Sequence, residues 1–154
     1  MRILILGGHG FIGSHTSDIL KKQGHTIGVV DCYHQYYTFP DKEYFPVLQI
    51  RKDHANNDQT FIGKIEDESF MATVFQEFKP SVVIHLATYP NAKMVARNVT
   101  DATNNMVTAT AIILNLCVKS NVKRFVFASS SMAYGEFNGE IPDETVICNP
   151  NTLY

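Results

Sequence analysis

Three glycines, Gly7, Gly10 and Gly13, stand in a G-x-x-G-x-x-G frame directly after the apolar run Ile3-Leu4-Ile5-Leu6. Where a strand turns into a helix, side chains at such positions would block a pyrophosphate from the helix N-terminus, and the bare backbone amides form an anion site. The same frame also serves a tight strand-to-helix turn that binds nothing. Asp31 closes a second apolar run eighteen residues beyond Gly13. A carboxylate there accepts hydrogen bonds from the hydroxyls of an adenosine ribose. It would repel a 2′-phosphate, and no Arg or Lys stands between Asp31 and Pro40 to neutralise one, so NAD is expected over NADP. An ordinary turn aspartate at a strand end is the alternative for Asp31.

These groups need elements to position them. Ile3 to Leu6, closed by glycines, suits a strand buried on both faces of a parallel sheet. Phe11, Ile12 and Ser14 to Lys22 read as a helix stopping at Gly24, and Thr26 to Asp31 as the second strand. From Cys32 to Asn57 the abundance of Tyr, His, Asp and Asn, with two prolines, predicts a long irregular connection with room for one short helix. Gln59 to Ile62 is expected as a third strand, Asp67 to Phe78 as a helix, and Ser81 to Leu86 as a fourth strand. A long helix is expected from about Thr100 to Ser120, its apolar stripe formed by Val107, Ala111, Leu114 and Val118, followed by a fifth strand from Arg124 to Ser129. Strands alternating with helices predict an α/β fold: a doubly wound parallel sheet of Rossmann type, with its ligand beyond the carboxyl ends of the strands.

A chain of 154 residues, 45% apolar and 18% charged, suits one globular domain. Thirteen basic and fifteen acidic residues without a run of either sign point away from nucleic acid and from anionic membranes. The opening apolar run is too short for a signal-peptide core or a membrane span, and an untargeted cytoplasmic protein is expected. Cys32, Cys117 and Cys148 are odd in number and widely spaced, which fits a reducing compartment better than a disulfide framework. The six histidines form no H-x-x-x-H or Cys-His cluster, so no metal site is expected. Tyr33, Tyr36, Tyr37 and Phe39 are left as loop-packing residues without a role at the site.

The stretch Gly7-Gly8-His9-Gly10-Phe11-Ile12-Gly13-Ser14-His15 resembles the opening of the extended short-chain dehydrogenases, especially the nucleotide-sugar epimerases and dehydratases. The likeness continues through Val83-Ile84-His85-Leu86-Ala87, Phe125 to Ser131 with Tyr134-Gly135, and Asn149-Pro150 leading to Tyr154. It implies a bound NAD and a nucleotide-sugar substrate. Ser130, four residues before the Tyr-Gly pair, would hydrogen-bond the sugar hydroxyl, and Tyr154, in a Pro-x-x-x-Tyr setting, would remove its proton. Cofactor contacts are implied for Gly7, Gly10, Phe11, Ile12 and Gly13, for Asp31, and for Lys64 and Ile65 after the third strand. Further contacts are implied for Leu86, Ala87 and Thr88, for Ala128, and for Tyr154 itself. The family's lysine four residues after the tyrosine and its substrate-closing half are not in this sequence, so the resemblance implies an incomplete enzyme with little turnover. The long helix from 100 to 120 lies where family members pair as homodimers.

The sequence departs from the family pattern at three places. Gly63-Lys64-Ile65 stands where a Gly-Asp pair binds the adenine amino group, and Met106 occupies the place of an asparagine, with Asn105 one position early. Met132 stands two residues after Ser130, where dehydratases carry an acid, and it cannot act as a base. That tilts the expectation toward an epimerase over a dehydratase or reductase. A catalytically incompetent dinucleotide-binding or redox-sensing module is the competing class, and a structural domain that has lost its cofactor is a third.

Overall fold

The computed structural model describes residues 1–36, 40–136, 141 and 143–154. Five strands, β1 (Arg2–Leu6), β2 (Thr26–Asp31), β3 (Gln59–Ile62), β4 (Val82–His85) and β5 (Arg124–Phe127), form one sheet in the order β3-β2-β1-β4-β5. Every pairing is parallel. The chain winds outward from β1 through β2 to β3, then returns to place β4 on the other side of β1. This reversal opens a crevice at the carboxyl ends of β1 and β4, the place where doubly wound sheets bind ligands.

Alternate residues of β1 feed two cores. Leu4 and Leu6 join Val30 and Val83 under α3 (Glu68–Phe78) and α6 (Ala109–Lys119). Ile3 and Ile5 join Ile27 and Val29 under Leu20 of α1 (Phe11–Lys22). A strand buried on both faces is what a continuous apolar run calls for, because each face of a parallel sheet is covered by helices. Asp58 ties the α1 side together, pairing with Lys21 and accepting from the Ile27 N–H at 2.7 Å. α3 is capped by Asp67, whose side chain accepts from the Phe70 N–H at 3.0 Å.

Two expectations from the sequence are corrected. The connection after β2 contains a fifteen-residue helix, α2 (Asp41–Ala55). Asp41 and Glu43 favour its first turn, Lys52 and His54 its last, and Asn56 ends it in the left-handed conformation at φ +47°. It buries only Ala55, so it has no apolar stripe to announce it, and it docks on α1 through the Ser17 hydroxyl donating to the Ala55 carbonyl at 2.5 Å. The long helix is likewise assembled from pieces: α4 (Ala92–Arg97), α5 (Val99–Thr103), a π turn at Asn104–Thr108, and α6. Its core face is Ala109, Ile113, Leu116 and Cys117, whereas Val107, Leu114 and Val118 of the expected stripe are 64%, 44% and 78% exposed.

His85, at the tip of β4, is buried among Phe125 and Phe127. The Thr110 hydroxyl donates to the Met106 carbonyl at 2.6 Å and therefore accepts from His85 Nε2–H at 3.2 Å, leaving His85 Nδ1 without a partner. Burial pushes the imidazole down to about 4. An unfolded histidine takes its proton near pH 6.5 and the folded one near 4, so the contribution of His85 is intact above 6.5 and is lost as pH falls between those values. Urea unfolding at pH 7 and pH 4.5 should show wild type losing about 2 kcal/mol more than His85→Gln. Equal losses in the two proteins would assign the acid sensitivity elsewhere.

Candidate active site

The glycine loop lies where β1 delivers the chain into α1. Gly7 has φ +77°, and a Cβ there would come within 2.9 Å of the Ala87 nitrogen. A Cβ at Gly13 would come within 2.3 Å of the Gly7 carbonyl oxygen and 2.7 Å of Gly8 Cα. The first turn of α1 is thus pressed against the end of β1 at a separation that leaves no room for a side chain.

The helix end so placed is left unsatisfied by the protein. α3 and α4 are capped by Asp67 and Asn91 side chains, but Gly10 supplies no cap to α1 and no acid stands in its first turn. The Ser14 N–H already reaches the Gly10 carbonyl, so the amides of Phe11, Ile12 and Gly13 are the donors without a helical acceptor. Uncapped amides at the positive end of a twelve-residue helix suit a pyrophosphate.

Asp31 stands beside this loop at the tip of β2. Its Oδ2 accepts from the His9 N–H at 3.0 Å and its Oδ1 from the Tyr33 N–H at 2.9 Å. Each carboxylate oxygen keeps a lone pair, so the group can still receive ribose hydroxyls. The observed loop, helix end and acid together fit the diphosphate and adenosine ribose of a dinucleotide.

A cleft of about 800 Å³ runs from this corner across the carboxyl ends of the strands. Its walls include Gly7, Gly10, Phe11, Ile12 and Gly13, then Asp31 and Ile65, then Leu86, Ala87 and Thr88, and finally Ala128, Ser130 and Tyr154. Ser130 sits at the start of a 3-10 turn, Ser131–Tyr134, where its Oγ accepts from the Met132 N–H at 3.1 Å. Tyr154 packs on the cluster of Tyr89, Val95 and Ala102, and also borders a smaller cavity of about 240 Å³ that reaches back to His85.

Lys64 is the exception among the expected contacts. It lies outside the cleft lining, and its ammonium turns toward Glu66 Oε1 at 3.7 Å. Glu66 faces the cleft in its place, with Oε2 accepting from Asn105 Nδ2 at 3.4 Å. Asn105 and Met106 both line the cleft. The π turn adds a residue to the helical repeat there, which lets the asparagine that is one position early in sequence face the site.

Sequence reasoning passed over several wall residues. Tyr33 and Tyr36 line the cleft, while Tyr37 and Phe39 lie outside the described residues. α2 contributes Tyr44, Leu48 and Arg51, one face of a helix by their spacing of four and three. The 3.6-residue repeat of α2 carries these three to one side, and without that helix their spacing has no meaning. Tyr89 is buried and donates to Asp101, which pushes its phenol up to about 12 and keeps it protonated. Among the described residues no cluster of three or more His, Cys, Asp or Glu could hold a metal ion, and no helix is long and apolar enough to cross a membrane.

A parallel sheet of this order with an open glycine loop and a strand-tip acid defines a Rossmann-type dinucleotide-binding domain. The chain belongs to the NAD dependent epimerase/dehydratase family, whose sequence model matches residues 3–154. It is 33% identical over 138 residues to UDP-glucose 4-epimerase of Caenorhabditis elegans, covering 88% of this chain and 39% of that protein. It is 32% identical over 156 residues to Protein CapI of Staphylococcus aureus, covering all of this chain and 45% of that one. Among solved structures, the UDP-glucose 4-epimerase of Thermus thermophilus in complex with NAD superposes on all of this chain and 46% of its own, with a TM-score of 0.81 and 28% identity. The Thermotoga maritima enzyme with UDP-glucose gives 0.79 and 31%, again over all of this chain and 46% of its own. The chain therefore spans less than half the length of these relatives.

Replacing Gly13 by Ala should force the α1 first turn away from Gly7. The expected outcome is a loss of roughly tenfold or more in NAD affinity, about 1.4 kcal/mol, read by isothermal titration. Unchanged affinity would mean that the loop does not receive the pyrophosphate.

Proposed function

We propose that this chain is the dinucleotide-binding part of an NAD-dependent nucleotide-sugar epimerase. The observation that carries the reading is that Ser130 and Tyr154 line the same cleft as the glycine loop and Asp31. A hydroxyl-bearing carbon can then meet a hydride acceptor and a proton acceptor at once. Residues 1–154 act as the dinucleotide-binding domain, with pyrophosphate on the α1 amides and ribose on Asp31. Bound NAD would supply the hydride acceptor. Tyr154 would take the proton of the sugar hydroxyl, and Ser130 would orient that hydroxyl and share its proton.

The position two residues past Ser130 supports epimerisation over dehydration. Met132 has no group able to remove a proton from the carbon beside a sugar ketone, so the oxidised sugar has one exit, which is to take its hydride back. The named relatives, UDP-glucose 4-epimerases among them, support a UDP-sugar as the substrate class. A cytoplasmic setting fits three cysteines that are all free. The exposed stripe of Val107, Leu114 and Val118 supports pairing of two copies through the helix that carries it.

Titration of the chain should give NAD bound at least tenfold tighter than NADP, with Asp31→Asn narrowing the gap by relieving repulsion of the 2′-phosphate. No binding of either dinucleotide, or a preference for NADP, would overturn the reading. In an enzyme that joins these residues to a substrate-closing half, Tyr154→Phe and Ser130→Ala should each reduce kcat for UDP-sugar turnover by about 10²–10⁴ while NAD affinity changes little. Full turnover in Tyr154→Phe would remove Tyr154 from the chemistry and leave a binding module.

A further inference from the structure

We infer that His9 and Tyr33 are positioning residues: they close a hydrogen-bonded ring around Asp31 that fixes the ribose acid and the phosphate loop as one unit. The inference rests on the dinucleotide reading given above.

The ring is built from two residues that each hold Asp31 by a backbone N–H and hold one another by their side chains. His9 N–H and Tyr33 N–H hold the two carboxylate oxygens at 3.0 and 2.9 Å. The side chains of the same two residues meet, His9 Nδ1 lying 3.1 Å from the Tyr33 hydroxyl with the rings stacked at 5.7 Å and 19°. His9 is only 3% exposed, although it stands inside a loop that must open to a ligand.

The proton positions follow from the neighbours. Asn57 Nδ2 donates to the Gln59 carbonyl at 2.9 Å and to Thr60 Oγ1 at 2.8 Å, so Asn57 Oδ1 is an acceptor. His9 Nε2, 3.1 Å from that oxygen, therefore carries a proton, and in the tautomer with Nε2 protonated the Nδ1 lone pair accepts from the Tyr33 O–H. All three nitrogens of His9 are engaged by protein partners.

Tyr33 adopts φ +53°, the left-handed region that a bulky side chain avoids unless its surroundings impose it. In that conformation its N–H turns back to Asp31 while its ring returns over His9. Tyr44 of α2 holds it there by donating to the Tyr33 carbonyl at 2.9 Å. The phosphate loop, the end of β2, the segment entering β3 and α2 are thereby joined at one point. A dinucleotide that meets Asp31 finds it already oriented, and affinity gains because less must be ordered on binding.

The test uses Tyr33→Phe, which keeps the stack and both backbone N–H groups and removes one hydroxyl, together with His9→Ala and His9→Gln. Affinities for NAD, ADP and 2′,3′-dideoxy-ADP are measured by titration, and folding is followed by thermal unfolding. In Tyr33→Phe, NAD binding should weaken about three- to tenfold, and the preference for ADP over the dideoxy nucleotide should shrink by a similar factor. A role in folding alone would not change that preference. His9→Gln, which can still donate to Asn57 and accept from Tyr33, should recover part of what His9→Ala loses. Wild-type binding with an undiminished preference in Tyr33→Phe overturns the inference alone. Wild type that binds neither NAD nor ADP overturns the dinucleotide reading and this inference with it.

Discussion

Everything at the site depends on how closely α1 approaches the end of β1. With no side chain at Gly13, the first turn of the helix rests against the Gly7 carbonyl, and the uncapped amides come to the carboxyl edge of the sheet. The register of the strands then sets the rest. Leu6 pairs with Val30 on one side and His85 on the other, Asp31 with Ile62, and His85 with Phe127. The residues one step on, Gly7, Asp31, Leu86 and Ala128, therefore arrive level along one edge, with Gly63 one residue beyond Ile62, and all five line the cleft. A parallel sheet presents every strand in the same sense, so one edge gathers all five exits.

The scaffold that holds this edge is stiff because β1 is buried on both faces. Side chains in alternation serve two separate cores, one under α3 and α6 and one under α1. A shift of β1 by one residue would exchange the two sets, so the position of Gly7 is fixed by packing on both sides. A third, smaller apolar cluster of Tyr89, Val95 and Ala102 lies apart from them, and α2 belongs to none of the three. α2 buries Ala55 alone, yet it supplies a wall of the cleft, and its place is set by hydrogen bonds to Ser17 and Tyr33 rather than by burial.

Those two modes of construction explain what could be read from the residues. The strands and α3 fell close to their expected limits because burial imposes a period, and the glycine frame was legible because only a close backbone approach needs glycine at those spacings. α2 was not legible, since a helix held by polar contacts leaves no stripe. α6 posed the opposite difficulty. It is apolar nearly all round, and the stripe through Val107, Leu114 and Val118 competes on equal terms with the true core face of Ala109, Ile113 and Leu116. Periodicity finds such a helix but cannot choose its inner face. Lys64 stood in the family's place for a cofactor contact, but a charged partner two residues on, Glu66, draws its ammonium away. His9 and Tyr33 gave no signal at all, because their meeting depends on one left-handed residue.

The π turn shows how a departure in sequence can leave the chemistry of a wall in place. An ungapped comparison puts Met106 at the position of an active-site asparagine and moves Asn105 off by one. In a regular helix one residue is a rotation of about 100°, enough to carry a side chain off the cleft. The wider turn at Asn104–Thr108 redistributes that rotation, so both residues face inward. Thr110, whose hydroxyl takes up the Met106 carbonyl, satisfies an acceptor within the altered turn. Asn105 is left with its amide nitrogen on Glu66 and its Oδ1 buried without a protein partner in the cleft wall. The amide thus stands in the cleft wall, and Met106 adds apolar surface beside Tyr154 on the cluster of Tyr89, Val95 and Ala102. One irregular turn of helix thus keeps both side chains in the wall despite the offset of one position.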